Sequence, residues 1–230
     1  MLPVSDRRPA SRRPPLITLV PDRRKEVQMR VRTEKKRNEI IQMAAELFDA
    51  LGYEGTSMSA IAARVGGSKA TLYAYFESKE DLLRAILERD VNQEADRLMQ
   101  ELLSEKDLRS GLIRLGIAYL NGQPARAASI RTVANQPIAQ EFYEDALRPA
   151  WQRLADRFAT MMKEGRLKFT DPWIAAMHWK GLNEWDTLEK YLLCANVDPD
   201  ANDVVSAAAA AADAFLNLYA DPSEVRQVVE

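Results

Sequence analysis

Cysteine and histidine are almost absent from this sequence, which has one of each in 230 residues, Cys194 and His178. A single cysteine excludes an internal disulfide, and so few ligands argue against a zinc site. Nucleophilic catalysis of the Cys–His or Ser–His type is nearly excluded as well. The sequence also has no phosphate-binding glycine loop and no nucleophile-elbow motif. We therefore expect a protein with no catalytic site, no metal and no cofactor.

Long apolar runs are lacking too. No stretch reaches the roughly 18 residues that indicate a membrane span. The first residues do not have a signal-peptide layout, because their one apolar stretch, residues 16–20, is short and interrupted by Thr18. These absences predict no membrane association and a cytoplasmic location.

Charge is distributed unevenly along the chain, although the net charge is only -2. Residues 1–90 hold 17 Lys and Arg against 13 Asp and Glu, and the remainder holds 15 against 21. A polyanion such as DNA is therefore attracted to the first segment and repelled by the second.

Proline and arginine dominate residues 1–28, which are predicted to be a disordered basic arm. Such an arm can reach DNA phosphates or a minor groove. Two alternatives stay open: the arm is a solvated tail without contacts, or translation starts at Met29.

Helical periodicity covers nearly all of the sequence from Thr33 onward, and no alternating strand pattern competes with it. The predicted fold is all-α. Residues 29–81 are predicted to form a tri-helical helix-turn-helix domain, and residues 82–222 a helical domain for effector binding and dimerisation. Gly52 fits the C-cap of the first helix, where a positive φ is needed.

Two short helices and a tight turn form the predicted DNA reader. Thr56 or Ser57 begins one helix, Gly66-Gly67 breaks it, and Ser68 caps the next. Helix N-termini attract phosphate, so Lys69 and Lys79, each at a helix start, are candidates to clamp the DNA backbone on either side of the reading helix.

The run GYEGTSMSAIAARVGGSKATLYAYFESKEDLLRAILE resembles the N-terminal domain of TetR-family regulators. This resemblance implies a homodimer that binds a palindromic operator in double-stranded DNA. Two positions depart from the family pattern: Gly67 replaces a valine, which we expect to make the reading helix more mobile, and Ala70 replaces a glycine. The candidate DNA contacts are Thr56, Ser57, Ser68, Lys69, Ala70, Thr71, Tyr73, Tyr75 and Lys79.

Aromatic and methionine side chains recur on the amphipathic segments of the second domain, and residues 130–158 are faintly similar to AefR-like regulators. Pro149 predicts a kink or restart within these helices. An adaptable apolar effector pocket and a plain core both use such residues. The candidate ligand contacts are Tyr119, Trp151, Phe158, Met162, Met177 and His178.

Dimerisation in this family usually takes place through a bundle of the last two long helices. The corresponding candidates here are Trp185, Leu188, Ala208, Ala211 and Phe215. The predicted function is a repressor that a hydrophobic or aromatic small molecule releases from DNA. The alternative is a DNA-binding regulator controlled by a protein partner or acting without a ligand. A cavity in the second domain favours the first reading, and a closed core the second.

Overall fold

A computed structural model describes residues 23–184, 187–194 and 201–221, with side chains from residue 33 onward apart from Ala201. These residues form helices throughout, and their one extended pairing is an isolated bridge between Leu167 and Ala220. The all-α prediction is confirmed. The helices are α1 Arg23–Leu51, α2 Met58–Arg64, α3 Lys69–Tyr73, α4 Lys79–Leu103, α5 Leu108–Asn121, α6 Gln123–Val133, α7 Ala139–Phe142, α8 Arg148–Lys163, α9 Pro172–Glu184, α10 Thr187–Leu192 and α11 Ala201–Tyr219.

Serine caps fix the beginnings of three consecutive helices in the N-terminal region. The hydroxyls of Ser57, Ser68 and Ser78 each accept a hydrogen bond from the backbone N–H three residues later, at 3.0–3.2 Å. Each bond satisfies a donor that has no partner within the helix. Gly52 has φ +75° and ends α1, as its predicted role as C-cap requires.

Two helix boundaries differ from the sequence-based prediction. Helix α1 begins at Arg23, so residues 23–28 of the predicted arm are helical, whereas residues 1–22 lie outside the described chain. Arg, Lys, Glu, Gln and Met are good helix formers, which explains the extension. Helix α3 ends at Tyr73 rather than Phe76, because the N–H groups of Tyr75 and Phe76 both turn back to the Leu72 carbonyl.

The irregularity expected near Pro149 takes the form of a π-helical turn over Tyr143–Leu147, between α7 and α8. Proline has no N–H to donate, so the regular α-helical ladder cannot continue through this point. The turn places Phe142 and Ala146 on the buried side of the helix.

The core of the reader is built by four helices. Its buried side chains are Ile40, Ile41 and Ala44 from α1, Ile61 and Ala62 from α2, Leu72 and Phe76 from the α3 region, and Leu82, Ala85 and Ile86 from α4. Leu72 and Phe76 are therefore core residues, as their helical spacing predicts. The predicted domain boundary at residue 81 falls just before the turns of α4 that complete the core of the reader.

Helix α4 contributes to three separate clusters along its length. Leu82 and Ile86 lie in the reader core, and Leu83 and Leu87 pack against α6, α7 and the π-helical turn. Farther along, Leu98 joins the large core of the second domain. The helix therefore connects the two domains through continuous apolar packing.

Close helix packing holds the second domain together at Gly116 of α5. A Cβ atom at this position would lie 2.9 Å from the Ala208 Cβ and 2.8 Å from the Asn183 Oδ1. No side chain fits there without displacement, so glycine allows α5, α9 and α11 to approach one another. The buried core around this contact includes Tyr119, Phe158, Trp179 and Phe215.

Candidate nucleic-acid interface and ligand cavity

The reading turn joins α2 to α3 through Gly66 and Gly67. Gly66 has φ +69°, a conformation that favours glycine. Gly67 is exposed, and a Cβ there would contact only Thr71, at 3.8 Å or more. A side chain beginning at this position would therefore find few neighbours close to its Cβ.

Six of the candidate DNA contacts form an exposed polar surface at this turn. Ser57 lies at the start of α2, and α3 with its cap supplies the others, of which Tyr73 is half exposed. Lys69 has no ion-pair partner among the described residues, so its charge is available to a phosphate. The six residues are Ser57, Ser68, Lys69, Ala70, Thr71 and Tyr73.

Thr56 and Tyr75 contribute to the fold of the reader rather than to this surface. Thr56 is buried, and its hydroxyl lies 2.9 Å from the Gly52 carbonyl oxygen, to which it donates a hydrogen bond. Tyr75 is half-buried against the reader core. The structure therefore does not group either side chain with the exposed residues of α3.

Lys79 is held by the loop that precedes α2. Its ammonium group donates to the Tyr53 carbonyl at 2.9 Å and lies 4.1 Å from the centroid of the Tyr53 ring. The Tyr53 hydroxyl in turn donates to Glu80 at 3.0 Å. Burial and this hydrogen bond raise the pKa of Tyr53 well above its usual range, so the hydroxyl stays protonated. Sequence reasoning missed the Tyr53 contact, because its partners lie 26 and 27 residues away.

A cavity of about 210 Å³ lies between α4, α5, α6, α8 and α9. Tyr119 and Trp151 from the predicted ligand set line it, and their rings meet edge to face at 5.5 Å. The wall is mainly apolar. Its other main contributors are Val91, Leu98, Met99, Leu115, Arg126, Ile130, Phe142, Leu147, Leu154 and Trp179.

The other four predicted ligand contacts do not line this cavity. Phe158 and Met162 are buried in the core of the second domain, where Phe158 stacks on Phe215 at 5.0 Å. Met177 is half-buried against the same core. His178 is exposed and hydrogen-bonded to the Tyr219 hydroxyl. Helical spacing identified their helices, but it does not distinguish a cavity wall from a filled core.

A polar network adjoins the cavity at Tyr119. The Tyr119 hydroxyl donates to Glu184 at 2.7 Å, and Lys180 donates to the same carboxylate at 2.6 Å. Burial raises the pKa of Tyr119 far above its usual range, so its hydroxyl remains a donor. Arg131 takes no part in this network, since it donates to the Tyr191 carbonyl.

Three of the predicted dimer contacts are buried inside a single chain. Ala208, Ala211 and Phe215 are at most 3% exposed, because this face of α11 packs against α5 and α9. They cannot form a surface for a second chain. Leu188 is half-buried on α10, which packs against α6, and Trp185 lies outside the described residues.

Helices α9 and α11 also carry apolar residues that are exposed in the single chain. Ile174 on α9 and Val205 on α11 are each nearly half exposed. Ala209 and Leu216 share the helical stripe of Val205, and Gly181 opens the face of α9. The exposed apolar face comprises the exposed Ile174, Gly181 and Val205, together with the half-buried Ala209 and Leu216, of which Leu216 also packs against the core.

No group of three or more metal-binding side chains occurs among the described residues. Within the same part of the chain, no helix is long and apolar enough to cross a membrane.

Comparison with known families gives two matches along this chain. Residues 40–86 match the bacterial regulatory proteins of the tetR family, and residues 110–221 match the C-terminal domain of AefR-like transcriptional repressors. The chain belongs to the TetR family. This is a family of DNA-binding transcriptional regulators and not of enzymes, which agrees with the function class expected from the sequence.

Curated relatives share only part of their length with this TetR-family chain. The transcriptional activator FasR of Mycolicibacterium smegmatis is 35% identical over 83 residues, which is 36% of this chain and 38% of FasR. The transcriptional repressor ComR of Escherichia coli is 36% identical over 86 residues, 37% of this chain and 41% of ComR. The chain thus matches less than half the length of these relatives.

Solved structures in the family match most of the chain. A TetR-family regulator from Mesorhizobium loti is 26% identical, with a TM-score of 0.72 over 82% of this chain and 98% of that one. The flavonoid-responsive regulator FrrA is 29% identical, with a TM-score of 0.63 over 82% of this chain and 99% of FrrA. The similarity therefore extends through both domains.

Proposed function

We propose that this chain is a homodimeric transcriptional repressor that leaves a palindromic operator when a small aromatic molecule enters the cavity of the second domain. The observation that carries this proposal is the position of α4. Its first turns supply Leu82 and Ile86 to the reader core, and its later turns supply Val91 and Leu98 to the cavity wall. A molecule in the cavity therefore contacts the helix on which the reader is built.

DNA binding is supported by the exposed surface of α3. Two such helices, one from each chain, fit successive major grooves when they lie about 34 Å or a multiple of that apart. The basic excess of residues 1–90 favours the same partner. A regulator of chromosomal DNA acts in the cytoplasm.

Ligand control is favoured over control by a protein partner because the second domain contains a cavity with a mainly apolar wall. FrrA responds to flavonoids, which supports an aromatic effector. A hundredfold loss of DNA affinity requires the ligand to prefer the released state by ~2.7 kcal/mol. Burial of about 110 Å² of apolar surface in that state alone would supply this difference.

Repression is the direction that the second domain favours, because that domain matches AefR-like repressors. Activation is the alternative, since FasR is an activator whose match with this chain covers 83 residues. Repression and activation use the same DNA reader, and they differ in where the operator lies relative to the promoter.

Dimerisation is assigned to the exposed apolar face of α9 and α11. Ile174 and Val205 are large apolar side chains left exposed in the single chain, and a two-fold axis would bury them against a second copy. The bundle of the last two long helices is thereby retained, but with other contacts than Ala208, Ala211 and Phe215.

The double variant Lys69→Ala, Tyr73→Ala tests the DNA reader. Both side chains are exposed, so the fold persists while the operator affinity falls by about tenfold or more, and the loss of Lys69 lowers the salt slope by about one. Affinity is measured by fluorescence anisotropy over a salt series. The matched control is Lys163→Ala, an exposed lysine at the end of α8. Wild-type affinity of the double variant would contradict the proposal.

The variant Val205→Asp tests the dimer face. A buried unpaired carboxylate is costly, so this chain should sediment as a folded monomer. Leu218→Asp is the control, because Leu218 is exposed on another side of α11. Ala211→Asp should instead lower the melting temperature, since Ala211 is buried within one chain. A stable Val205→Asp dimer would place the interface elsewhere.

The variant Ala150→Phe tests effector control, because Ala150 lines the cavity and a larger side chain occupies it. One- to three-ring aromatic compounds should quench tryptophan emission of the wild type and release its operator. Neither effect should occur in the variant, which still binds DNA. Quenching of the wild type without release, or release that persists in Ala150→Phe, would refute control through this cavity.

A further inference from the structure

Two buried hydrogen-bond donors on the cavity wall lack an acceptor within the described chain. They are Nη1 of Arg126 on α6 and Nε1 of Trp179 on α9. Trp179 is 1% exposed and the Arg126 side chain 15%. A buried donor without a partner costs free energy that an acceptor on a ligand recovers.

Both donor side chains pack on the ring of Tyr119. The Arg126 guanidinium carbon lies 4.0 Å from the centroid of Tyr119, and the Trp179 ring meets Tyr119 edge to face at 5.4 Å. The Tyr119 hydroxyl already donates its hydrogen bond to Glu184. The remaining donors beside Tyr119 are Arg126 Nη1 and Trp179 Nε1, neither of which has an acceptor within the described chain.

No carboxylate among the described residues accepts a hydrogen bond from Arg126. Glu94 is its nearest carboxylate partner, at 3.7 Å from Nη2, which is beyond hydrogen-bond distance. Glu94 accepts two hydrogen bonds from Arg97, at 2.8 and 2.9 Å. Asp90, the other acidic side chain on the wall, accepts bonds from Arg89. Each carboxylate thus accepts its hydrogen bonds from another arginine, and Arg126 Nη1 donates to no acceptor within the described chain.

The remaining wall fits an aromatic ring. Trp151, Leu115 and Leu154 line the cavity with other apolar side chains. A dry cavity of about 150 Å³ accepts benzene, and the volume here is about 210 Å³. The space therefore suits one or two fused rings with a small polar group.

We propose that the effector is an aromatic carboxylate whose acid group binds Arg126 and Trp179 and whose ring packs against Trp151 and Leu154. This inference rests on the proposed effector function of the cavity, and it names the ligand class. A cationic ligand is disfavoured, because it would approach Arg126 while Glu94 and Asp90 are occupied by other arginines.

The test compares 2-naphthoate with 2-naphthamide, a neutral compound of the same shape, by calorimetry on the full-length protein at neutral pH. Wild type should bind the carboxylate at least about tenfold more tightly, because hydrogen bonds to charged groups are the stronger kind. Arg126→Met should abolish this preference and Arg126→Lys should restore part of it. Arg131→Met on the same helix is the control, since Arg131 does not line the cavity.

Equal affinity for the two probes, absence of binding by either, or a preference that persists in Arg126→Met would overturn the inference. The comparison of the two probes on wild type decides the matter even if Arg126→Met does not fold. Operator release is scored separately. If neutral aromatics release the operator as well as naphthoate does, effector control stands and the carboxylate assignment fails.

Discussion

The structure depends on the burial of two adjacent faces of α4. One face supplies Leu82 and Ile86 to the reader core, while Leu83 and Leu87 pack against α6, α7 and the π-helical turn. Apolar burial stabilises a fold by roughly 25 cal/mol per Å², so neither face can be exposed without a substantial loss of stability. The helix must therefore move with its neighbours, which is the route by which we propose that a ligand in the cavity acts on the reader.

The cavity lies beside α4, the helix that also supplies side chains to the reader core. Its wall combines α4 with α6, α8 and α9, and the buried donors of Arg126 and Trp179 face no acceptor within the described chain. A ligand that meets these donors gains affinity only in the arrangement that keeps them beside Tyr119. Differential affinity of this kind is what shifts a conformational equilibrium.

Local sequence signals predicted the elements of this fold well. The serine caps and Gly52 act through neighbours three or four residues away, so their roles could be read directly from the sequence. Burial was harder to predict. Ala208, Ala211 and Phe215 form a helical stripe that serves the core of one chain and not the dimer. The Tyr53–Lys79 contact and the Arg126 site depend on tertiary packing, which no local pattern encodes.

Transmission through α4 is the central claim, and the distance between the two reading domains tests it most directly. A spin label at Ala63→Cys, an exposed position on α2, in a Cys194→Ser background gives one label per chain. Pulsed electron resonance then measures the separation in the dimer. The account predicts one narrow distribution on operator DNA and a displaced distribution when an aromatic compound that releases the operator fills the cavity. An unchanged distribution at saturating compound would contradict it.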